Sequence, residues 1–201
     1  MVSGYYPPME EQIIECLPVG SLAANCWIYS PEGEAGNGFR PCTVIDPGDE
    51  APYIISVLRK LKLRPTYILL THGHFDHLTG LPGLAEAFPD AKIAIHKDDA
   101  HYAPKAQLLL SEGDTAGPFK VLHLPGHTEG CVGYYDEKTG VLFTGDTLFC
   151  GDYGRTDLPG GDFNKLVQSL KRLFAMDPEI SVCPGHGPGT TIGIEAKRGM
   201  V

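Results

Sequence analysis

The hydrophobic pattern begins with short strand-like runs. Glu11 to Leu17, Cys26 to Tyr29 and Thr43 to Ile45 predict strands, and Pro31 to Pro41 reads as the loop between two of them. Asp46-Pro47-Gly48 is a turn signal. After it, Tyr53, Ile54, Val57, Leu58 and Leu61 recur at helical spacing, so one face of that helix is expected to be buried. Thr66 to Leu70 predicts a strand that stops just before His72, Gly80 to Phe88 a second helix and Lys92 to His96 another strand. Val121 to Leu124 runs into Pro125-Gly126-His127, and Val132 to Tyr135 and Val141 to Thr144 flank the hairpin turn Glu137-Lys138-Thr139-Gly140. The clearest element is the helix Asp162 to Ala175. Phe163, Leu166, Val167, Leu170, Leu173 and Phe174 share one stripe, and Asp162 is placed to cap its N-terminus. A last strand, Ile180 to Cys183, ends at Pro184-Gly185-His186.

Strands interleaved with helices predict sheets covered by helices, not a bundle. Histidines and aspartates recur where strands end, where a rigid element holds the side chain and the following loop is free to shape a cleft. The 201 residues suffice for one substantial core and are too few for two comfortable domains, so a single domain over 1–201 is expected. A net charge of −9 argues against a nucleic-acid partner, which needs a basic patch. No apolar run approaches the roughly 20 residues of a membrane span, and Met1 to Gln12 lacks the basic-then-apolar order of a signal peptide. The cysteines at 16, 26, 42, 131, 150 and 183 form no Cys-x-x-Cys pair and read as small buried thiols in a reducing compartment, which predicts a cytoplasmic protein.

Thr71-His72-Gly73-His74-Phe75-Asp76-His77 crowds three histidines and a carboxylate into one tight loop, left sterically open by Gly73. His72 and His74 can serve one metal, and Asp76 and His77 a second. Imidazole with carboxylate suits zinc, iron or manganese. Leu124-Pro125-Gly126-His127-Thr128 and Pro184-Gly185-His186-Gly187 each offer a further histidine, and Thr144-Gly145-Asp146-Thr147 a carboxylate. His96 and His101, in a polar stretch, read as solvated or structural. His123 reads as a packing or supporting residue, not a ligand. Asp46 is either a simple turn carboxylate or a support for the site.

Taken in order, HGHFDH, PGHT, GDT and PGHG resemble the ligand set of the metallo-β-lactamase superfamily, over roughly residues 12 to 195. The resemblance implies an α+β fold, a four-layer αββα sandwich with the site at one edge of the paired sheets. It implies one metal on His72, His74 and His127, a second on Asp76, His77 and His186, and Asp146 bridging both. Two divalent metal ions follow, with zinc expected and iron or manganese compatible. An anionic bridge and a shared hydroxide would hold two dications together, water on such a metal ionises near neutral pH, and Asp76 would orient it.

Gly154-Arg155-Thr156-Asp157-Leu158-Pro159-Gly160-Gly161-Asp162 and Gly185-His186-Gly187-Pro188-Gly189-Thr190-Thr191-Ile192-Gly193 are similar to short, single-domain relatives of type II glyoxalase, the hydroxyacylglutathione hydrolases. The implied partner is a small-molecule thioester such as a 2-hydroxyacyl glutathione. Arg155 either grips a substrate carboxylate bidentately or pairs with Asp157. The chain stops soon after Thr190-Thr191, without the helical domain that supplies glutathione contacts in full-length type II glyoxalases, so a high Michaelis constant is expected. HGHFDH, PGHT and GRTD also resemble persulfide dioxygenases, in which the counterparts of His72, His127 and Asp146 hold a single iron. A reading of another class is a non-catalytic metal-binding module. The oligomeric state is left open.

Overall fold

The computed structural model describes residues 11–32 and 38–201. The signal-peptide reading of Met1 to Gln12 and the middle of the Pro31 to Pro41 loop therefore lie largely outside the described residues.

The first sheet holds β1 (Ile13–Val19), β2 (Ala24–Ser30), β3 (Arg40–Ile45), β4 (Leu63–Leu69), β5 (Lys92–His96) and β6 (Leu108–Leu110), in that order. β1, β2 and β3 pair antiparallel, and β3 to β6 are parallel. The second sheet holds β7 (Thr115–Ala116), β8 (Phe119–His123), β9 (Val132–Asp136), β10 (Val141–Gly145), β11 (Ser181–Pro184) and β12 (Thr190–Thr191). It is antiparallel except where β10 meets β11.

Side-chain alternation assigns the layers. Cys26 and Ile28 on β2, Cys42 and Val44 on β3, Ile68 on β4, and Ile93 and Ile95 on β5 face outward. There they meet Ile54 and Leu58 of α1 (Ala51–Lys60) and Leu81 and Leu84 of α2 (Leu81–Ala87). The intervening Trp27, Tyr29, Ile45, Leu69 and Ala94 face the second sheet and meet Phe119, Val121, Val132, Tyr134 and Phe143. An aromatic cluster fills this middle layer, with ring centroids 4.9 Å apart for Tyr29 and Phe119 and 5.6 Å for Phe119 and Phe143. The second sheet's other face, with Leu122, Leu142 and Val182, is covered by Leu166, Leu170 and Leu173 of α3 (Phe163–Phe174). Those three leucines fall one helical turn apart, the stripe the sequence predicts. The Asp162 carboxylate accepts from the Lys165 amide at 3.1 Å, capping the helix. The short α4 (Ile192–Ala196) adds Ile192 to the same layer. Period-two strands between two amphipathic helical faces give the expected αββα sandwich.

The predicted strands and the three predicted helices are present with shifted ends. One three-residue shift has a physical cause. The strand expected from Thr66 starts at Leu63, because Pro65 sits at a bulge: Cys42 faces Pro65 and Thr43 already faces Tyr67. β6, β7, β12 and α4 are additional elements, each too short to set a period.

Six strands deliver the site. β3, β4 and β5 run in parallel, and β8, β10 and β11 share one direction. Their C-terminal ends lead into Asp46, His72, the Lys97–Tyr102 turn, His127, Asp146 and His186. The sheets are joined at this edge. The Asn25 amide donates to the Gly185 carbonyl at 2.7 Å, Trp27 Nε1 to the Pro184 carbonyl at 3.0 Å, and the Tyr134 hydroxyl to the Leu70 carbonyl at 2.7 Å.

Candidate metal centre

The loop after β4 is anchored by one buried carboxylate. Asp46, in the left-handed region at φ 51°, accepts the Thr71 amide at 2.7 Å and the Thr71 hydroxyl at 2.6 Å. Its Oδ2 also faces His77 Nδ1 at 3.1 Å. The Thr71 hydroxyl gives its proton to Asp46, so its oxygen is left to accept from His72 Nδ1, 3.0 Å away. Both rings therefore carry a proton on Nδ1, which leaves Nε2 as the atom each would offer a metal. Outer partners of metal-ligating histidines commonly fix the tautomer in this way. Asp46 is thus a support for the site, which decides between its two sequence readings.

His127 is oriented likewise. Its Nδ1 donates to the Arg155 carbonyl at 2.7 Å, which turns Nε2 toward His74 Nδ1 at 2.8 Å and Asp146 Oδ2 at 3.5 Å. On the other side, His77 Nε2 lies 3.3 Å from His186 Nε2 and 3.3 Å from Asp146 Oδ1. His186 Nε2 is 3.3 Å from Asp76 Oδ2 and 3.7 Å from Asp146 Oδ2. The seven positions singled out in the sequence thus converge. Donor atoms of His72, His74 and His127 lie within 4.8 Å of one another, as do those of Asp76, His77 and His186. Asp146 reaches into both groups.

The donors fit divalent metal ions. His72 Nε2 and Asp146 Oδ1 are buried and, among the described residues, have no hydrogen-bond partner. A buried polar atom without a partner is costly, and these two point into the clusters. Burial, reinforced by His77, His127 and His74, pushes the His72 imidazole well below its usual range, so it stays neutral. Burial opposes the charge on Asp146, but His77 and His127 outweigh it and hold that carboxyl low. Asp76 is also low, with burial outweighed by His186 and His77. Burial would lower His77, but Asp146 and Asp46 raise it well above the usual range.

Close approach favours glycine at several positions around the centre, Gly73 and Gly185 among them. A Cβ on Gly73 would stand 1.9 Å from the Tyr102 ring, and one on Gly185 would stand 2.1 Å from Asp146 Oδ1.

Sequence reasoning missed Asp99. It is buried in the turn after β5 and accepts from the Gly73 amide at 3.0 Å, the Thr128 hydroxyl at 2.7 Å and the Gly130 amide at 3.0 Å. It clasps the His72–His77 loop to the loop that carries His127. The available signal was its place just past a parallel strand, where α/β sheets gather functional groups. His96 is not solvated: it is 1% exposed, and its ring stacks on His123 at 4.1 Å. With Asp98, these two histidines form a separate group of donors, apart from the seven. His101 is exposed and lies against the Tyr102 ring. The Arg155 guanidinium pairs bidentately with Asp157 at 2.7 Å, and it is the Arg155 carbonyl that reaches into the site.

None of the described helices is long and apolar enough to cross a membrane, and all six cysteines are free thiols.

Known proteins resemble this chain in sequence and fold. The chain is similar to hydroxyacylglutathione hydrolase GloC of Haemophilus influenzae, at 34% identity over 92% of this chain and 95% of that one. It is similar in structure to TTHA1623 in a di-iron-bound form, with a TM-score of 0.80 and 40% identity over 91% of this chain and 97% of that one. ETHE1 from Myxococcus xanthus aligns with a TM-score of 0.78 and 28% identity over 91% of this chain and 81% of that one. The metallo-beta-lactamase superfamily model matches residues 22–186, and the chain belongs to that superfamily.

Proposed function

We propose that this protein is a two-metal hydrolase that cleaves a small acyl thioester, such as a 2-hydroxyacyl glutathione, to a free acid and a thiol. The observation that carries the reading is the pairing of two complete donor groups around one shared carboxylate, Asp146. His72, His74 and His127 would hold one ion, and Asp76, His77 and His186 the other. Zinc in a cytoplasmic protein is the expected pairing, given the imidazole-rich donor set and the free thiols.

When bound, paired divalent ions make water acidic enough to ionise near neutral pH and stabilise negative charge developing on a carbonyl oxygen. The chain's own residues do the positioning. Asp46 and the Arg155 carbonyl keep protons on Nδ1 of His72, His77 and His127, so that Nε2 is the atom each ring would offer a metal. Asp76, half-buried and anionic, is placed at the cleft to orient the attacking water. A thiolate leaves readily, so no dedicated general acid is needed. Similarity to hydroxyacylglutathione hydrolase GloC supports this reading.

The iron-dependent persulfide dioxygenase reading keeps support from the likeness to ETHE1, and the di-iron-bound relative supports iron as a metal while holding two ions. It leaves His74, Asp76, His77 and His186 without a metal role. One preparation, loaded separately with zinc and with iron, would be offered lactoyl-glutathione and then glutathione persulfide under oxygen. Thioester cleavage is the expected result. Iron-dependent oxygen uptake without thioester cleavage would reject the hydrolase in favour of the dioxygenase.

A further inference from the structure

A cleft of about 350 Å³ opens onto the grouped histidines and carboxylates. Its rim is apolar. Leu22, in the turn between β1 and β2, is 53% exposed, and Phe75, inside the loop after β4, is 67% exposed. Leu158 lines the same cleft. None of the three belongs to the hydrophobic clusters that build the layers, so packing does not account for them. A single exposed leucine needs no explanation. Three large apolar side chains converging beside a set of metal-type donors form a surface suited to an apolar ligand.

Charge recognition is weak at this rim. The cation that lines the cleft, Arg155, is engaged through both Nε and Nη2 by the Asp157 carboxylate, each at 2.7 Å. A carboxylate on the thiol carrier would meet a guanidinium whose charge is already paired with Asp157.

Resting on the thioester reading above, we infer that selection is exercised on the acyl group. The site takes thioesters of apolar acyl chains, seated against Leu22, Phe75 and Leu158, and leaves the thiol carrier at the cleft mouth without a charged anchor. The reaction remains hydrolysis. The water oxygen bonds to the carbonyl carbon, the carbon–sulfur bond breaks, one water proton passes to the thiolate, and the acid and thiol depart. No oxidant enters.

The test uses the zinc-loaded full chain with acetyl, butyryl and hexanoyl thioesters on two carriers, glutathione and the uncharged N-acetylcysteamine. Partial burial of the chain raises kcat/KM by about two- to fourfold per methylene. The same gradient is expected on both carriers, and exchanging the carrier changes kcat/KM by less than about threefold. Leu22→Ser and Phe75→Ser flatten the gradient, with thermal melts confirming that these variants fold. A flat gradient in the unaltered protein, or a loss on the order of tenfold or more on exchanging glutathione for N-acetylcysteamine, overturns the inference and leaves the hydrolase standing. Failure to cleave any thioester on either carrier overturns the hydrolase reading itself, and the inference with it.

Discussion

At the scale of single residues, the candidate centre depends on Asp46 as much as on the histidines. One carboxylate sets the tautomer of His72 through Thr71 and of His77 directly, so it governs one histidine in each donor group. Asp46→Asn removes the charge and makes one carboxylate oxygen an amide donor facing groups that also need to donate. Zinc affinity or turnover is expected to fall about 10- to 100-fold, the usual cost of losing an outer partner. Chelator competition and steady-state rates measure it, and unchanged values would refute the role. The seven convergent residues were legible in the sequence because each sits in a short motif punctuated by glycine or proline. Asp99 and Asp46 were less legible, since a lone aspartate after a strand carries no spacing that separates a clasp from a turn. Arg155 shows a further limit. Its side-chain chemistry was visible, but the group that holds His127 is its carbonyl, which every residue possesses.

Among the elements, α3 is the piece that the sequence described most fully, because twelve residues give several helical turns and a cap. Its C-terminal turn also ties into the edge of the second sheet. Arg172 reaches Glu112 at 2.6 and 2.9 Å and the His123 carbonyl at 3.1 Å. The Arg172 contact, joined by the His123 amide, holds the Glu112 carboxyl below its usual range. A depressed folded pKa means that this contribution is present above the unfolded value, about 4.3 for glutamate, and is lost as pH falls through the folded pKa. Both side chains are substantially exposed, so Arg172→Ala is expected to cost about 1 kcal/mol or less at neutral pH. Thermal melts of the two proteins should differ at pH 7 and converge in acid; a constant difference would contradict the assignment. The strand entered through Pro65 was misjudged at its start because proline reads as a strand breaker, and only the pairing with β3 reveals the bulge that accommodates it. β6, β7 and β12 have two or three residues each and owe their strand form to their neighbours.

For the whole molecule, two sheets meet at the edge where six strands end, and the donors come from both sheets. Bound metal would therefore stabilise the fold by mass action, and its removal by a chelator lowers the melting temperature. Acid should strip the two positions unequally. Burial keeps His72 and His74 low and unprotonated. His186, hydrogen-bonded to Asp76, and His77, beside Asp146, are raised in the metal-free site and compete for protons at higher pH. The ion on Asp76, His77 and His186 is expected to leave first as pH falls. Metal retained after dialysis across a pH series would show two steps, and simultaneous loss would contradict the ordering.

The central claim is that Asp146 joins two donor groups into one two-metal centre. Its most direct test is the number of ions retained per chain after zinc saturation and removal of excess. The unaltered protein and His123→Ala are each expected to keep about two ions, His186→Ala about one, and Asp146→Ala fewer than the unaltered protein. A single ion per chain in the unaltered protein, undiminished by His186→Ala, would contradict the account.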